Sequence, residues 1–275
     1  MTEPSPKGFR DPETPKIDPT VPHSARVYDY LLGGQTNFEA DRKAAVAAGA
    51  AVGGIEVAQA SVRSNRVFLG QVVRWLAGPA GMRQFLDIGT GIPNHDNVHA
   101  VALAVAPDAR VVYVDNDPIV LAHAHELLNT APDATAYIHG DLLQPETVLA
   151  QAAELLDLDQ PVAVVLNAVL HHVPERDDPY SVVARLMDGV ASGSYLAMSH
   201  LTDDLQTEAM RALSQSVPSE ARYMFAVRSR ADFARFFEGL ELVDPGIVPI
   251  DQWRPDEWDI TPEGRYHFGA VGRKP

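Results

Sequence analysis

The sequence contains no cysteine, which excludes a disulfide framework, a thiolate metal site and a cysteine nucleophile. It has no uninterrupted apolar run near the roughly 18 residues that a membrane span requires. Nor does an apolar leader open it: "MTEPSPKGFRDPETPKIDPTVPHS" is spaced by prolines and charges. A soluble, cytoplasmic protein without a membrane partner is the expectation. Positive charge is scarce, with 22 Lys and Arg against 37 Asp and Glu, a formal net charge of −15. Neutralising a nucleic-acid backbone takes clustered cations, so the expected partner is a small molecule rather than a nucleic acid. The chain does have apolar residues, 46% of 275, enough for one large core with an appended lid.

Three regions follow from patterning. Residues 1–22 carry six prolines among charges and bury too little to offset the entropy of ordering, so a flexible tail is expected. Residues 23–80 are helical in rhythm. "SARVYDYLLGG" ends in two glycines suited to a helix stop, Asn37 is placed to cap "FEADRKAAVAAGA", and apolar residues from Ala58 to Leu76 predict a helix over 55–77. Residues 81–275 change to short apolar runs alternating with helices: "QFLDI", "RVVYV", "TAYIH", "VAVVLN" and "SYLAMSH". That alternation predicts a doubly wound, Rossmann-like α/β domain with a parallel sheet covered on both faces. After a helix capped by Ser229, "LELVDPGIVPI" and "YHFGAVGR" read as two strands joined by a loop, which favours an antiparallel addition.

In such a sheet, ligands sit at the carboxyl ends of the strands where the strand order reverses. The first strand there runs into "DIGTGIPN". A dinucleotide fingerprint needs a third glycine where Asn94 stands, and a phosphate-binding P-loop needs a lysine that is absent. Acids are present instead. Asp87 precedes the Gly89-Thr90-Gly91 turn, Asp115 ends the next run and Asp141 follows the third. An acid in the first turn repels pyrophosphate and suits an ammonium. Asp115 is placed to take ribose hydroxyls, and Asp141 to accept from an adenine amine. Together they fit a nucleoside with a cationic tail.

"FLDIGTGIP", "VVYVDNDP", "HGDLL" and "VLNAVLHHVP", in that order and spacing, resemble the successive motifs of class I S-adenosylmethionine-dependent methyltransferases. The prelude "PHSARVYDYLLGGQTNFEADRKAA" further resembles an actinobacterial subfamily whose substrates are largely unassigned. The resemblance implies a seven-stranded sheet with its last strand antiparallel, S-adenosylmethionine as cofactor, and methyl transfer to a small-molecule acceptor. It also carries Asn116, Leu142 and Asn167, which stand in these motifs, into the cofactor site beside Asp87, Gly89, Thr90, Gly91, Asp115 and Asp141.

By the same resemblance, His171 and His172 lie at the edge of the transfer site, where a neutral imidazole could remove the acceptor's proton. The plainer alternative is that one packs and the other caps a loop. In the prelude, Tyr28, Tyr30, Gly33, Gly34 and Asn37 combine aromatic surface, a hinge and a polar tip, as a lid does; a simple helix stop explains them equally. Arg63 and Arg66 could face the acids or solvent. Arg222, Arg228 and Arg230 offer a site for a substrate carboxylate. Asp177 and Asp178 are too few oxygen ligands for a metal. Two rival readings stand beside the enzyme: a non-catalytic module that binds the cofactor as sensor or scaffold, and a nicotinamide oxidoreductase, disfavoured by Asn94 and Asp87.

Overall fold

The computed structural model describes residues 17–93, 97–120, 122–123, 131, 133–205, 208, 226–254 and 265–275. Most of the proline-rich tail, Asn94 and Arg222 lie outside the described residues. One sheet organises the chain, built from β1 (Gln84–Ile88), β2 (Arg110–Asp115), β3 (Thr135–His139), β4 (Ala163–Asn167), β5 (Tyr195–Leu201), β6 (Glu241–Leu242), β7 (Val248–Pro249) and β8 (His267–Arg273). Its order is β3-β2-β1-β4-β5-β8-β6, with β7 also paired to β8. The first five strands are parallel, and β8 runs antiparallel to β5 from Tyr195↔Arg273 to Leu201↔His267. The expected architecture is therefore present with one difference. "LELVDPGIVPI" forms two short strands on the outer side of β8, because Pro245 has no N–H to give a ladder and Gly246 takes a positive φ of 79°.

Seven helices are described around this sheet: α1 (Ser24–Leu31), α2 (Glu39–Ala51), α3 (Ile55–Ala77), α4 (Val98–Val105), α5 (Pro145–Ala152), α6 (Pro179–Asp188) and α7 (Arg230–Arg235). Their starts follow local chemistry. Ser229 Oγ accepts the Asp232 N–H to open α7 at 3.1 Å, and proline occupies the first turn of α5 and α6. Asp117 Oδ1 accepts the Ile119 N–H at 2.9 Å, so Asp117 caps the helical segment that Pro118 begins. At α2 the expected cap is not Asn37. The helix starts one residue later, and Asp41 Oδ2 reaches back to the Phe38 N–H at 2.8 Å.

The strands read as continuous apolar runs because each face of the sheet carries its own core. Leu86, Val112, Val164 and Leu196 point to the face covered by α5, α6 and α7. Phe85, Val111, Tyr113 and Ala163 point to the face covered by α4 and by Phe68, Leu69, Val72, Val73 and Leu76 of α3. The second half of α3 is thus a core helix of the sheet. Its first half runs past the carboxyl ends of the strands, where Ala58 and Val62 join Leu31, Ala45, Leu201 and Tyr266 in a third cluster. Tyr266 Oη donates to the Val52 carbonyl at 3.1 Å and fastens α2 to the start of β8. Among the described residues no single helix is long and apolar enough to cross a membrane; α2 and α3 reach that composition only jointly, across a 99° bend.

Candidate functional site

Strand order reverses at β1, which has β2 on one side and β4 on the other. The crevice beyond their carboxyl ends is where this fold places a ligand. Gly89, Thr90 and Gly91 follow β1 directly, Asp115 ends β2, Asn167 ends β4, and Asp141 lies two residues beyond β3. Sequence reasoning therefore places its cofactor candidates on one edge.

The turn itself argues about what it holds. Gly89 and Gly91 adopt positive φ of 75° and 68°, and their conformation commits every N–H. Gly89 N–H donates to the Val114 carbonyl at 2.8 Å, Thr90 N–H to the same oxygen at 3.3 Å, and Gly91 N–H to Asp115 Oδ2 at 2.7 Å. A phosphate-binding turn keeps such donors for its ligand. This one has spent them, and two buried carboxylates, Asp87 and Asp115, stand beside it. A side chain built on Gly91 meets nothing within 4 Å, whereas one on Gly89 collides with Val169 Cγ2 at 2.3 Å. Gly89 is thus needed for close contact with the β4 loop, and Gly91 borders open space.

Burial raises the Asp87 carboxyl to about 7, with the Asp115 charge adding to the rise and the Arg66 guanidinium opposing it. Burial also raises Asp115, against the pull of its two backbone donors, Asp117 N–H and Gly91 N–H. An acid so desolvated gains most from a cation that replaces water. Of the two prelude arginines in question, Arg63 is exposed, while Arg66 is half-buried with its charge felt at Asp87, Tyr28 and Tyr113. Asp141 Oδ1 accepts the Leu143 N–H at 2.9 Å, so it shapes its own turn. Leu142 differs from expectation. Its side chain is buried in the sheet core, which leaves its backbone as the part that can face a ligand. Asn116 is exposed at the rim.

The first helix ties itself to this edge at two points. At its start His23 Nδ1 lies 2.8 Å from Asp117 Oδ2, and Arg26 Nε lies between Asp41 (3.5 Å) and Asp117 (3.9 Å). Arg26 also holds the end of the proline-rich tail by donating to the Asp18 and Val21 carbonyls. Further along, Tyr28 Oη accepts from Asn65 Nδ2 at 3.0 Å, and Asn65 Oδ1 meets Ser199 Oγ at 2.6 Å. Ser199 Oγ in turn lies 2.9 Å from Asn167 Oδ1. The helix is thus tied to Asp117 beyond β2 and, through Asn65 and Ser199, to β4 and β5, on the two sides of β1.

The rest of the expected lid is more self-contained. Asn37 Nδ2 donates to Asp29 Oδ2 (2.9 Å) and the Gly34 carbonyl (3.0 Å), and its Oδ1 accepts from Arg42 (3.0 Å). It knits the loop together rather than serving as a polar tip. Gly33 turns the chain with φ of 87°, and a side chain on Gly34 would overlap Asp29, so both have turn reasons. Tyr30 packs at the third cluster with Tyr28.

His171 and His172 form a short helical turn after β4. His171 is buried in a histidine group that sequence spacing concealed: ring centroids lie 4.3 Å from His172, 5.7 Å from His200 and 6.2 Å from His267. The antiparallel register makes this possible, since Leu201 at the end of β5 pairs with His267 at the start of β8. Burial, reinforced by neighbouring imidazoles and Arg228, pushes His171 well below its ordinary value. His200 falls to about 3 by burial and the Arg228 charge, and His267 to about 4 by burial. His200 is the neutral tautomer with Nδ1–H donating to the Leu201 carbonyl (2.6 Å) and Nε2 accepting from Arg228 (2.7 Å). His172 is half-buried.

Arg228 is not a substrate-carboxylate site. It is buried, donating to Glu175 (2.9 Å) and to the carbonyls of Leu170 (3.0 Å) and Val173 (2.8 Å) besides His200. Its role is to brace the loop that carries the histidines. Arg230 donates to the Ile247 carbonyl at 3.2 Å. Among the described residues no group of three His, Asp or Glu is arranged to hold a metal.

Five parallel strands in the order β3-β2-β1-β4-β5, with β8 set antiparallel beside β5, form the Rossmann-like fold of a methyltransferase. Residues 10–275 match the sequence profile of the S-adenosyl methyltransferase family, and the chain belongs to that family. It is an S-adenosylmethionine-dependent methyltransferase. A DUF574 family protein from Streptomyces avermitilis is 42% identical, with a TM-score of 0.88 over 94% of this chain and 100% of its own. A candidate methyltransferase from Thermobifida fusca is 39% identical, with a TM-score of 0.85 over 93% of this chain and 96% of its own. An O-methyltransferase family protein from Burkholderia thailandensis, 17% identical, shares the fold with a TM-score of 0.53 over 80% of this chain and 58% of its own. No curated protein matches the chain.

Proposed function

We propose that this enzyme methylates a small-molecule acceptor at the carboxyl edge of β1, β2 and β4, with α1 as the lid of that site. The reading is supported by a turn whose three N–H groups are already committed, together with a helix tied to Asp117 and Asn65 on the same edge. Bound there, S-adenosylmethionine supplies a methyl group activated by its sulfonium. Asp115 would hold the ribose hydroxyls, Asp87 the ammonium and Asp141 the adenine amine, with Gly89, Thr90, Gly91, Asn116, Asn167 and the Leu142 backbone around them. Arg66, close to Asp87, would face the carboxylate of the same amino-acid tail. α1 excludes water, which otherwise competes as a nucleophile and screens charge.

Of the two candidate histidines, His172 is the better placed to take the acceptor's proton, because it retains exposure. His171 is locked among neutral imidazoles and supports it without adding charge. Most of the rate then comes from alignment, with proton removal a smaller factor. The acidic balance of the chain, 22 Lys and Arg against 37 Asp and Glu, favours a small acceptor over a nucleic acid. A cytoplasmic setting belongs to the same proposal, since a zwitterionic sulfonium does not pass through hydrocarbon unaided; cell fractionation tests it.

The decisive experiment incubates the protein with methyl-labelled S-adenosylmethionine and a cell extract, then separates the products by size. Label in a low-mass, chemically identifiable product is expected. Label confined to protein or nucleic acid overturns the small-molecule reading.

A further inference from the structure

Ser199 is fully buried in β5 and faces three polar atoms: Ala168 N at 3.0 Å, Asn65 Oδ1 at 2.6 Å and Asn167 Oδ1 at 2.9 Å. A hydroxyl has one proton and two lone pairs. The Ala168 N–H takes one lone pair, so a single proton faces two amide oxygens. It can serve one.

The prelude decides which. Asn65, also fully buried, gives its Nδ2 to Tyr28 Oη, and that hydroxyl passes its own proton to the Val62 carbonyl at 3.2 Å. The donors therefore run one way, from Ala168 N–H through Ser199 O–H to Asn65, and from Asn65 N–H through Tyr28 O–H to Val62. With the Ser199 proton committed to Asn65, Asn167 is satisfied when its amide turns to place Nδ2 on the remaining Ser199 lone pair. Its carbonyl oxygen is then left for a donor in the crevice. The two ends of an amide have nearly the same shape, so the turn costs little packing.

If Tyr28 withdraws, Asn65 loses the contact that fixes its direction and the Ser199 proton is released to Asn167, which then offers N–H groups instead. We infer that Ser199 and Asn65 are positioning residues, a one-proton relay that ties the seating of α1 at Tyr28 to the face that Asn167 presents to the ligand. Ala168, at a positive φ of 56°, is held in that conformation by the same hydroxyl and by the Ser199 carbonyl. The relay therefore also sets the loop leading to His171 and His172. The inference rests on the reading of this edge as the cofactor and acceptor site.

The test uses full-length protein and S-adenosylhomocysteine as the probe, with calorimetric titration of the wild type, Tyr28→Phe, Ser199→Ala and the double variant. Tyr28→Phe should weaken binding about fivefold, the scale of one neutral hydrogen bond. In the Ser199→Ala background the same change should have almost no effect. In hydrogen exchange, the probe should protect both residues 24–31 and residues 89–91 in the wild type. Ser199→Ala should lose the first protection and keep the second, a split that general loosening of the fold does not produce. Additive effects, or undiminished protection of α1 in Ser199→Ala, overturn the relay alone. Absence of probe binding to the wild type overturns the site reading and the relay with it.

Discussion

The Gly91 N–H donates to Asp115 Oδ2 at 2.7 Å, so the acid that closes β2 also fixes the turn that closes β1. Its other oxygen accepts the Asp117 N–H at 2.9 Å. Asp115 thus has a structural task in addition to any contact with ribose, and each oxygen keeps a second lone pair for that contact. Asp115→Ala should weaken S-adenosylhomocysteine binding by about 1.5–3 kcal/mol, the scale of a hydrogen bond to a charged group. It should also lower the melting temperature without ligand, because two backbone donors lose their acceptor. Calorimetry giving wild-type affinity would remove Asp115 from the cofactor site.

Asp87 makes a prediction about pH. Its carboxyl titrates at about 7 in the folded chain, against roughly 3.9 when unfolded. Between those values the native state holds more protons than the unfolded state, so this group's contribution to stability falls as pH rises toward 7. A ligand ammonium reverses the preference by stabilising the carboxylate. Affinity for S-adenosylhomocysteine should therefore climb between pH 5.5 and 7 with release of a proton, and Asp87→Asn should flatten that climb. Calorimetry in buffers of different ionisation enthalpy reads the proton directly; equal apparent enthalpies would show that Asp87 does not meet a cation.

The acids and the glycine turn were legible in the sequence because they sit at fixed places in a local pattern, the end of a strand and the turn after it. The helix over 55–77 was legible for the same reason. Ser199 and Asn65 were not, since 134 residues separate them and each looks like an ordinary polar residue in its own element. The histidine group was hidden likewise, because His200 and His267 meet His171 only through the pairing of β5 with β8. Asn37 and Arg228 misled in the opposite direction. Their residue types suit caps and anion sites, but their atoms are committed to partners that only the folded chain brings near.

Those histidines predict acid lability. His171, His200 and His267 stay neutral in the fold far below the roughly 6.5 of an exposed imidazole. Below pH 6.5 the unfolded chain binds protons that the native chain refuses, so stability falls as pH falls, by about 1.4 kcal/mol per pH unit for each such group. The stability is fully present above pH 6.5 and opposes the smaller trend from Asp87. Urea titrations at pH 6.5 and 5.5 should show the loss. His267→Asn, which keeps a polar atom toward Ser61, should reduce the slope by one proton; an unchanged slope would mean that His267 is charged in the native state.

Gly89 and Gly91 should fail in different ways, which makes them a test of what the turn lines. Both have positive φ, so any side chain carries a conformational cost of about 1–2 kcal/mol. At Gly89 the added carbon also strikes Val169 Cγ2 at 2.3 Å, and relief requires moving the loop between Asn167 and His171. Gly89→Ala should therefore lower thermal stability well beyond the conformational cost, with the histidine loop disturbed even without ligand. At Gly91 the added carbon enters empty space. Gly91→Ala should lose only the conformational cost, while Gly91→Val, larger and still short of the protein wall, should abolish most of the ligand-induced rise in melting temperature. The comparison separates folding from binding because the two glycines share one turn and one strained backbone. A Gly91→Val variant that retains its full ligand-induced shift would mean that the space beside Gly91 is solvent, and that the nucleoside lies elsewhere along the edge.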